Sequence, residues 1–377
     1  MKNIFLLSLS FLALFMIKSC GGDIQPTVPQ IDIYSKANDN CVLFDNESTF
    51  KTKETLLKCW GRNQSGQLGY GDSNNRGVNL NEMGDNLSFV NLGTNLSILQ
   101  VSLGEFYSCA LLDSLNTEAV ETLIKCWGYN AFGQLGYGDT NHRGSAANEM
   151  GNNLSFVDIG TNLRITKIIS GPGHNCIIVD DKSTAVIEGK VKCWGRNLNG
   201  ALGYGDVGNR GDNSTSMGDL LPYVDLGTNL KATDLSLSKH SSCAILDNIS
   251  TTNTVETYLK CWGLNNYGQL GQEDNDTIGD NASEMGDDLA LTNLGDNLKI
   301  LKLSAGFYHY CAMLDDENTV EVDHLVKCWG YNSDGRLGLG DTNNRGDNAS
   351  EMGNNLPFVS FGSRLRPLDI STGAYHN

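Results

Sequence analysis

Lys125-Cys126-Trp127-Gly128 is one of five copies of the same tetrapeptide, whose tryptophans are Trp60, Trp127, Trp194, Trp262 and Trp329. Successive copies are 67, 67, 68 and 67 residues apart. A fixed period of this length marks a repeat architecture in which each copy buries its apolar surface against its neighbours. Working outward from Trp127, four short apolar segments fall at residues 89–93, 98–103, 109–113 and 123–127, each bounded by Gly, Asn or Asp. Such segments read as strands, and four per repeat predict a propeller blade. Ala110, Leu111, Leu112 and Ile124 leave little polar alternation, as expected of strands covered on both faces by neighbouring blades.

After the tryptophan runs Gly-x-Asn-x-x-Gly-Gln-Leu-Gly, at residues 61–69, 128–136 and 263–271, with Ala201 and Arg336 replacing Gln in the other two copies. Glycines at fixed offsets imply positive φ or close chain approach. The asparagines (Asn63, Asn130, Asn197, Asn265, Asn332) suit a turn in which the side chain bonds local backbone. This pattern, followed by Gly-Asp, resembles the repeats of the regulator of chromosome condensation family from about residue 32 onward. The resemblance implies an all-β propeller, usually of seven four-stranded blades. It also implies a function in the range of that family, whose members include a nuclear exchange factor for a small GTPase and a secreted bacterial β-lactamase inhibitor. None of the exchange factor's functional residues maps onto a motif here. The expected architecture is five full repeats plus a partial sixth, because residues 368–377 align with residues 301–310 and stop one position before the next cysteine. That stop suggests truncation from about seven blades.

The N-terminus reads as a targeting segment: Lys2, an apolar run over residues 4–17, then Ile17-Lys18-Ser19-Cys20. That ending looks like a bacterial lipobox, with Lys18 a departure from the usual small or apolar residue. The expected domains are a lipoprotein-type signal peptide at 1–19, a tether at 20–30 and the propeller at 31–377. Cys20 is the expected lipidation site; an ordinary cleaved secretion signal is the alternative. The other ten of the eleven cysteines form five pairs at equivalent places: Cys41 with Cys59, Cys109 with Cys126, Cys176 with Cys193, Cys243 with Cys261 and Cys311 with Cys328. In an exported chain this reads as a disulfide framework, with buried reduced cysteines as the alternative. The histidines occupy no repeated position beside these pairs, which argues against zinc.

Charge narrows function. With 27 basic and 44 acidic residues the net charge is −17 and there is no basic run, so a nucleic-acid partner is not expected. Each repeat carries a polar insertion after Leu-Gly, and loops at one point of every repeat are where such scaffolds keep function. Its candidate binding residues are Asp72, Asn74 and Arg76; Asp139, Asn141 and Arg143; Asp206 and Arg210; Asp341 and Arg345. Asp72-x-Asn74-x-x-Gly77 resembles the start of a calcium loop, yet the twelfth position is Met83 and Glu82 comes one place early. Asx turns and Asp–Arg pairs are the expected use of these residues, and no metal or cofactor is assigned. There is no phosphate loop, and His174 and His240 near Ser170 and Ser241 read as variation at a surface-adjacent turn, not a triad. The expectation is therefore an exported, lipid-anchored or secreted bacterial envelope protein without catalytic activity, binding a protein or envelope ligand through its loop face. The alternatives are an inhibitor of an envelope enzyme, which exposed aromatics would favour and the Asn/Asp/Gly-rich loops weaken, and a calcium-dependent adhesion module. Export argues against nucleotide exchange.

Overall fold

The computed structural model describes residues 32–36, 38–45, 55–117, 120–184, 186–250, 256–363 and 365–376. The signal peptide, Cys20 and the tether lie outside the described residues. The remainder forms five antiparallel three-stranded meanders, one per repeat. They are β1 (Asp32–Lys36), β2 (Asp39–Asp45) and β3 (Thr55–Gly61); β4 (Leu96–Leu103), β5 (Tyr107–Ser114) and β6 (Thr122–Gly128); and β7 (Leu163–Ser170), β8 (His174–Asp181) and β9 (Lys190–Gly195). Then follow β10 (Leu230–Leu237), β11 (Ser241–Asn248) and β12 (Thr257–Gly263), and β13 (Leu298–Ala305), β14 (His309–Asp316) and β15 (Leu325–Gly330). This is the propeller the repeat predicts.

One detail differs. The blades have three full strands where four were expected. The segment expected as the first strand of each repeat instead lies along the outer edge of the preceding sheet, held by one backbone bond: Val90 N–H donates to Leu57 O at 2.8 Å and Val157 N–H to Ile124 O at 2.9 Å, and Val224, Thr292 and Val359 repeat this. The turn glycine and asparagine that follow (Gly93, then Asn95 at φ 58°) swing the chain away to the next inner strand before a ladder can form.

The inner strands β4, β7, β10 and β13 all bulge at the same place, at Leu99, Thr166, Thr233 and Leu301. The residues just past the bulge then reach the next blade. Gln100 exchanges bonds with the Ile168 backbone, Lys167 pairs with Asp234 at 2.6 Å, and Lys302 pairs with Asp369. Residues 369–376 lie against β13 as a further inner segment, with Thr372 N–H donating to Ser304 Oγ at 3.0 Å.

All ten cysteines of the repeats are oxidised in the expected pairs: Cys41 is bonded to Cys59, Cys109 to Cys126, Cys176 to Cys193, Cys243 to Cys261 and Cys311 to Cys328. Each bridge joins directly opposed residues of the second and third strands, with Cα atoms 4.1 Å apart. Cys59, Cys193 and Cys261 are fully buried on their third strands, so their part is to staple the sheet. Each bridge closes a hairpin of 17 or 18 residues, worth roughly 3 kcal/mol in the chain-entropy picture.

Blades are joined by the tryptophan and the turn of the preceding repeat. Trp127 is fully buried and its Nε1–H donates to Gln67 O at 2.9 Å. Trp194 does the same to Gln134 O, Trp262 to Ala201 O and Trp329 to Gln269 O, at 3.0–3.1 Å. Because the acceptor is a backbone carbonyl, Ala201 serves as well as glutamine. The carbonyl is aimed by the buried asparagine: Asn130 Nδ2–H donates to Asp139 O and its Oδ1 accepts from Leu135 N–H, both at 2.8 Å. Gly133, at φ 76°, admits the next repeat so closely that a Cβ would lie 2.3 Å from Asp212 N. Lysines of the tetrapeptide complete the joint. Buried Lys125 donates to Leu92 O and Gly151 O, both at 2.8 Å, tying the outer segment of one blade to the insertion of the next. Burial pushes the Lys125 and Lys327 ammoniums down to about 8. Asn130→Ala, which strands a buried backbone N–H and C=O, should lower unfolding free energy by about 2–3 kcal/mol. A fall in the urea midpoint at unchanged m-value checks this; an unchanged midpoint would refute the role given to Asn130.

Candidate binding face

The insertion loops consume most of their polar groups internally. Asp72 accepts from Asn74 N–H at 2.9 Å, an Asx turn, and pairs with Arg76 at 2.6 Å. Asp139 pairs with Arg143 at 2.7 Å, and Asp206 with Arg210 and Asp341 with Arg345 at 2.6 Å. The Arg143 and Arg345 guanidiniums hold Asp139 and Asp341 below the usual carboxylate range. Arg76 and Arg143 also take the backbone carbonyls of Asn74 and Asn141 and lie over Tyr70 and Tyr137. Glu82, one place early for a calcium loop, accepts from Val78 and Asn79 N–H, and Glu149 repeats this with Ser145 and Ala146. Ser216 does the same task in the third repeat through Gly211 N–H. Among the described residues no three His, Cys, Asp or Glu side chains cluster as metal ligands. Nor do the insertions simply project from one face: Gly151 N–H donates to Asn91 O at 3.0 Å, and Gly218, Gly286 and Gly353 repeat the contact, laying each loop on the rim of the preceding blade.

A different surface gathers half-buried aromatic and cationic side chains. The turns joining first to second strands, and the first residues after Cys-Trp-Gly, share one face of the propeller, here the upper face. Phe106, Tyr129 and Phe132 pack edge-on there, with centroids 6.2–6.4 Å apart, and His142 lies beside Tyr129. A second group links Tyr267, Tyr308 and Tyr331, with Phe307 between Tyr308 and Tyr375. Cations sit over these rings: Arg62 over Phe106 at 4.9 Å, Arg196 over Phe132 at 4.7 Å, Lys239 over Phe307 at 5.0 Å and Arg336 over Tyr331 at 4.6 Å. Burial, then the charges of Arg196 and Lys239, depress His240 to about 4. Burial, then Tyr267, Tyr375 and Glu105, raise Tyr308.

The sequence draws attention to the insertions, whose loops carry few aromatics, and leaves these rings unmarked. The available signal was variation inside a constant frame: the residue after Cys-Trp-Gly is Arg62, Tyr129, Arg196, Leu264 or Tyr331, and the one three further on is Ser65, Phe132, Asn199, Tyr267 or Asp334. His174 also needs correction. It is not at a surface turn but fully buried, with Nε2 2.8 Å from Ser242 Oγ across the blade boundary, and Tyr107, Ser241 and His309 hold the equivalent place.

At the equivalent place in the first repeat stands Asp39, 2% exposed. Burial raises its carboxyl to about 7, while the Gln67 side chain and the Arg62 charge pull the other way. Its folded value lies above the unfolded one near 3.8, so the folded state binds the proton more tightly. The stabilisation from that proton is full below about pH 4 and is lost as pH rises through 7. His240, depressed, runs oppositely between about pH 4 and its unfolded value near 6.5. The Asp39 contribution therefore appears in a difference: Asp39→Asn should gain melting temperature over the native protein at pH 7.5 and lose most of that gain at pH 4.5. An equal difference at both pH values would show that Asp39 does not titrate in this window.

Comparison with known proteins agrees with the frame. The profile of the Regulator of chromosome condensation (RCC1) repeat matches residues 300–336. The Ultraviolet-B receptor UVR8 of Arabidopsis thaliana is 23% identical over 304 residues, covering 80% of this chain and 54% of the receptor. The probable E3 ubiquitin-protein ligase HERC4 of Homo sapiens is 29% identical over 167 residues, 44% of this chain and 13% of the ligase. The chain thus spans about half the length of the receptor and far less of the ligase. Among solved structures, yeast RCC1 (Prp20) bound to Kap60 has a TM-score of 0.54 at 18% identity, covering 82% of this chain and 58% of that one. Prp20p from Saccharomyces cerevisiae, described with its binding properties to Gsp1p and histones, has a TM-score of 0.50 at 16% identity, covering 89% and 78%. With the five-copy motif and the blade geometry, these matches show an all-β propeller whose repeats are similar to those of the RCC1-repeat family.

Proposed function

We propose that this propeller is a non-catalytic binding protein of an oxidising, extracytoplasmic compartment, and that it engages a protein through its upper face. The observation that carries this reading is the concentration of tyrosine, phenylalanine and arginine on that face, the side chains that dominate binding hot spots. The acidic insertions, turned onto the rim and paired internally, act in this reading as scaffold. Relatives named for partners, such as Prp20p with Gsp1p and histones, support protein binding as the use of the fold. Five disulfides support the compartment. Photo-crosslinking in native cells tests the face: a crosslinker replacing Tyr308 should trap a discrete protein, and one replacing Lys182, in the β8–β9 turn on the opposite face, should not. Equal trapping at both positions, or none at Tyr308, would contradict the proposal.

Inhibition of an envelope enzyme is the second reading. The aromatic face favours it, since the insertions' lack of aromatics no longer counts against it. Anchoring through lipid on Cys20 belongs to the same proposal and rests on the residues 17–20 pattern alone. Cells fed labelled palmitate should label the native chain and not Cys20→Ser; labelling of neither would leave a secreted protein.

A further inference from the structure

We propose that the mouth of the upper face is an anchor site for an acidic side chain: a cavity of about 430 Å³ that takes an Asp or Glu, with an adjoining apolar residue, from a surface loop of the partner protein. This rests on the proposed use of the upper face and names the chemistry it selects.

Arg62, Arg196, Lys239, Phe106, Tyr129 and Phe132 line the cavity, and Glu105 is the one acidic residue among the described lining. Three positive charges against one negative give the cavity a local charge of +2, within a chain whose net charge is −17. Among the described residues, no carboxylate forms an ion pair with any of the three cations. The contrast with the insertions is sharp, since all four arginines there are paired to aspartate. The cations at the mouth are held by rings instead, and a ring contact uses no N–H donor. Gln64 Oε1 takes two donors of Arg62, and the fork of Arg196 stays available for the paired oxygens of a carboxylate. His240 lies beside them, and its imidazole resists protonation first through burial and then through the charges of Arg196 and Lys239.

The rings decide the size of the ligand. Phe106, Tyr129 and Phe132 give the cavity apolar walls, and Tyr267, Tyr308 and Tyr331 continue the surface outward. A lone oxyanion would use none of that area. An acidic residue on a protein loop, flanked by apolar neighbours, uses the cations for register and the rings for buried area.

Fluorescence anisotropy on the disulfide-bonded full chain tests this with a short labelled peptide of glutamate and phenylalanine, set against the same peptide with glutamine for glutamate. The glutamate peptide should bind about ten-fold tighter, and the preference should shrink with added salt. Lys239→Glu and Arg196→Glu should each weaken it about ten-fold, while Lys182→Glu on the opposite face leaves it unchanged. Arg196 is partly buried, so Arg196→Gln and the salt titration of the native protein stand as measurements that need no charge reversal. Equal affinity for the two peptides, no binding of the glutamate peptide at millimolar concentration, or displacement by inorganic phosphate at submillimolar concentration would each overturn the acidic anchor. The crosslinking separates this failure from failure of the face. Crosslinks from Tyr308 that persist when Arg62, Arg196 and Lys239 are all changed to glutamine would overturn the anchor and leave the face standing. Their absence in the native protein would remove both.

Discussion

Everything in this propeller hangs on one hydrogen bond repeated between blades: a buried indole N–H donated to a backbone carbonyl in the turn of the preceding repeat. A buried indole that lacked this acceptor would carry an uncompensated polar group, so the tryptophan can enter the interface only where the turn presents its carbonyl. The turn in turn needs an asparagine to bridge its two ends and a glycine to let the next chain pass. That mutual requirement explains why Cys-Trp-Gly and Gly-x-Asn-x-x-Gly recur together. It also explains the tolerance of Ala201, whose side chain takes no part in the bond.

The same constraint divides the residues into frame and payload. Lysines of the tetrapeptide, inconspicuous in sequence, are buried struts that satisfy carbonyls from two repeats at once. The aspartates and arginines of the insertions, conspicuous in sequence, are largely spent on holding their own loops. Exposed ion pairs of this kind add at most about 1 kcal/mol each, so their value is shape more than stability. The positions that the motif leaves variable lie instead on the upper face, and Arg62, Ser65, Tyr129, Phe132 and Arg196 among them line its cavity.

The fold was therefore legible from sequence and the site was not. Period, strand-length segments and cysteine spacing all repeat, and repetition is visible without coordinates. The outer segment reads as a fourth strand because hydrophobicity marks a segment as covered without saying how many backbone bonds it makes; Val90 is buried yet holds its neighbour by one. His174 reads as a turn residue because sequence cannot tell a strand's first residue from the last residue of the turn before it. The upper face escaped for a deeper reason. Phe106 and Tyr308 hold one repeat position and Phe132 and Tyr267 another, but Gly173, His240, Ser65 and Asn199 fill the same positions elsewhere, so the aromatics read as variation until the fold sets those positions on one face.

Amide hydrogen exchange with and without the glutamate-containing peptide tests the division of frame from payload most directly. The account predicts added protection in the segments around residues 104–107, 129–133, 172–174, 196–199 and 239–241, with the insertions at 72–86 and 139–153 unchanged. Protection confined to the insertions, with the upper face unaltered, would contradict it.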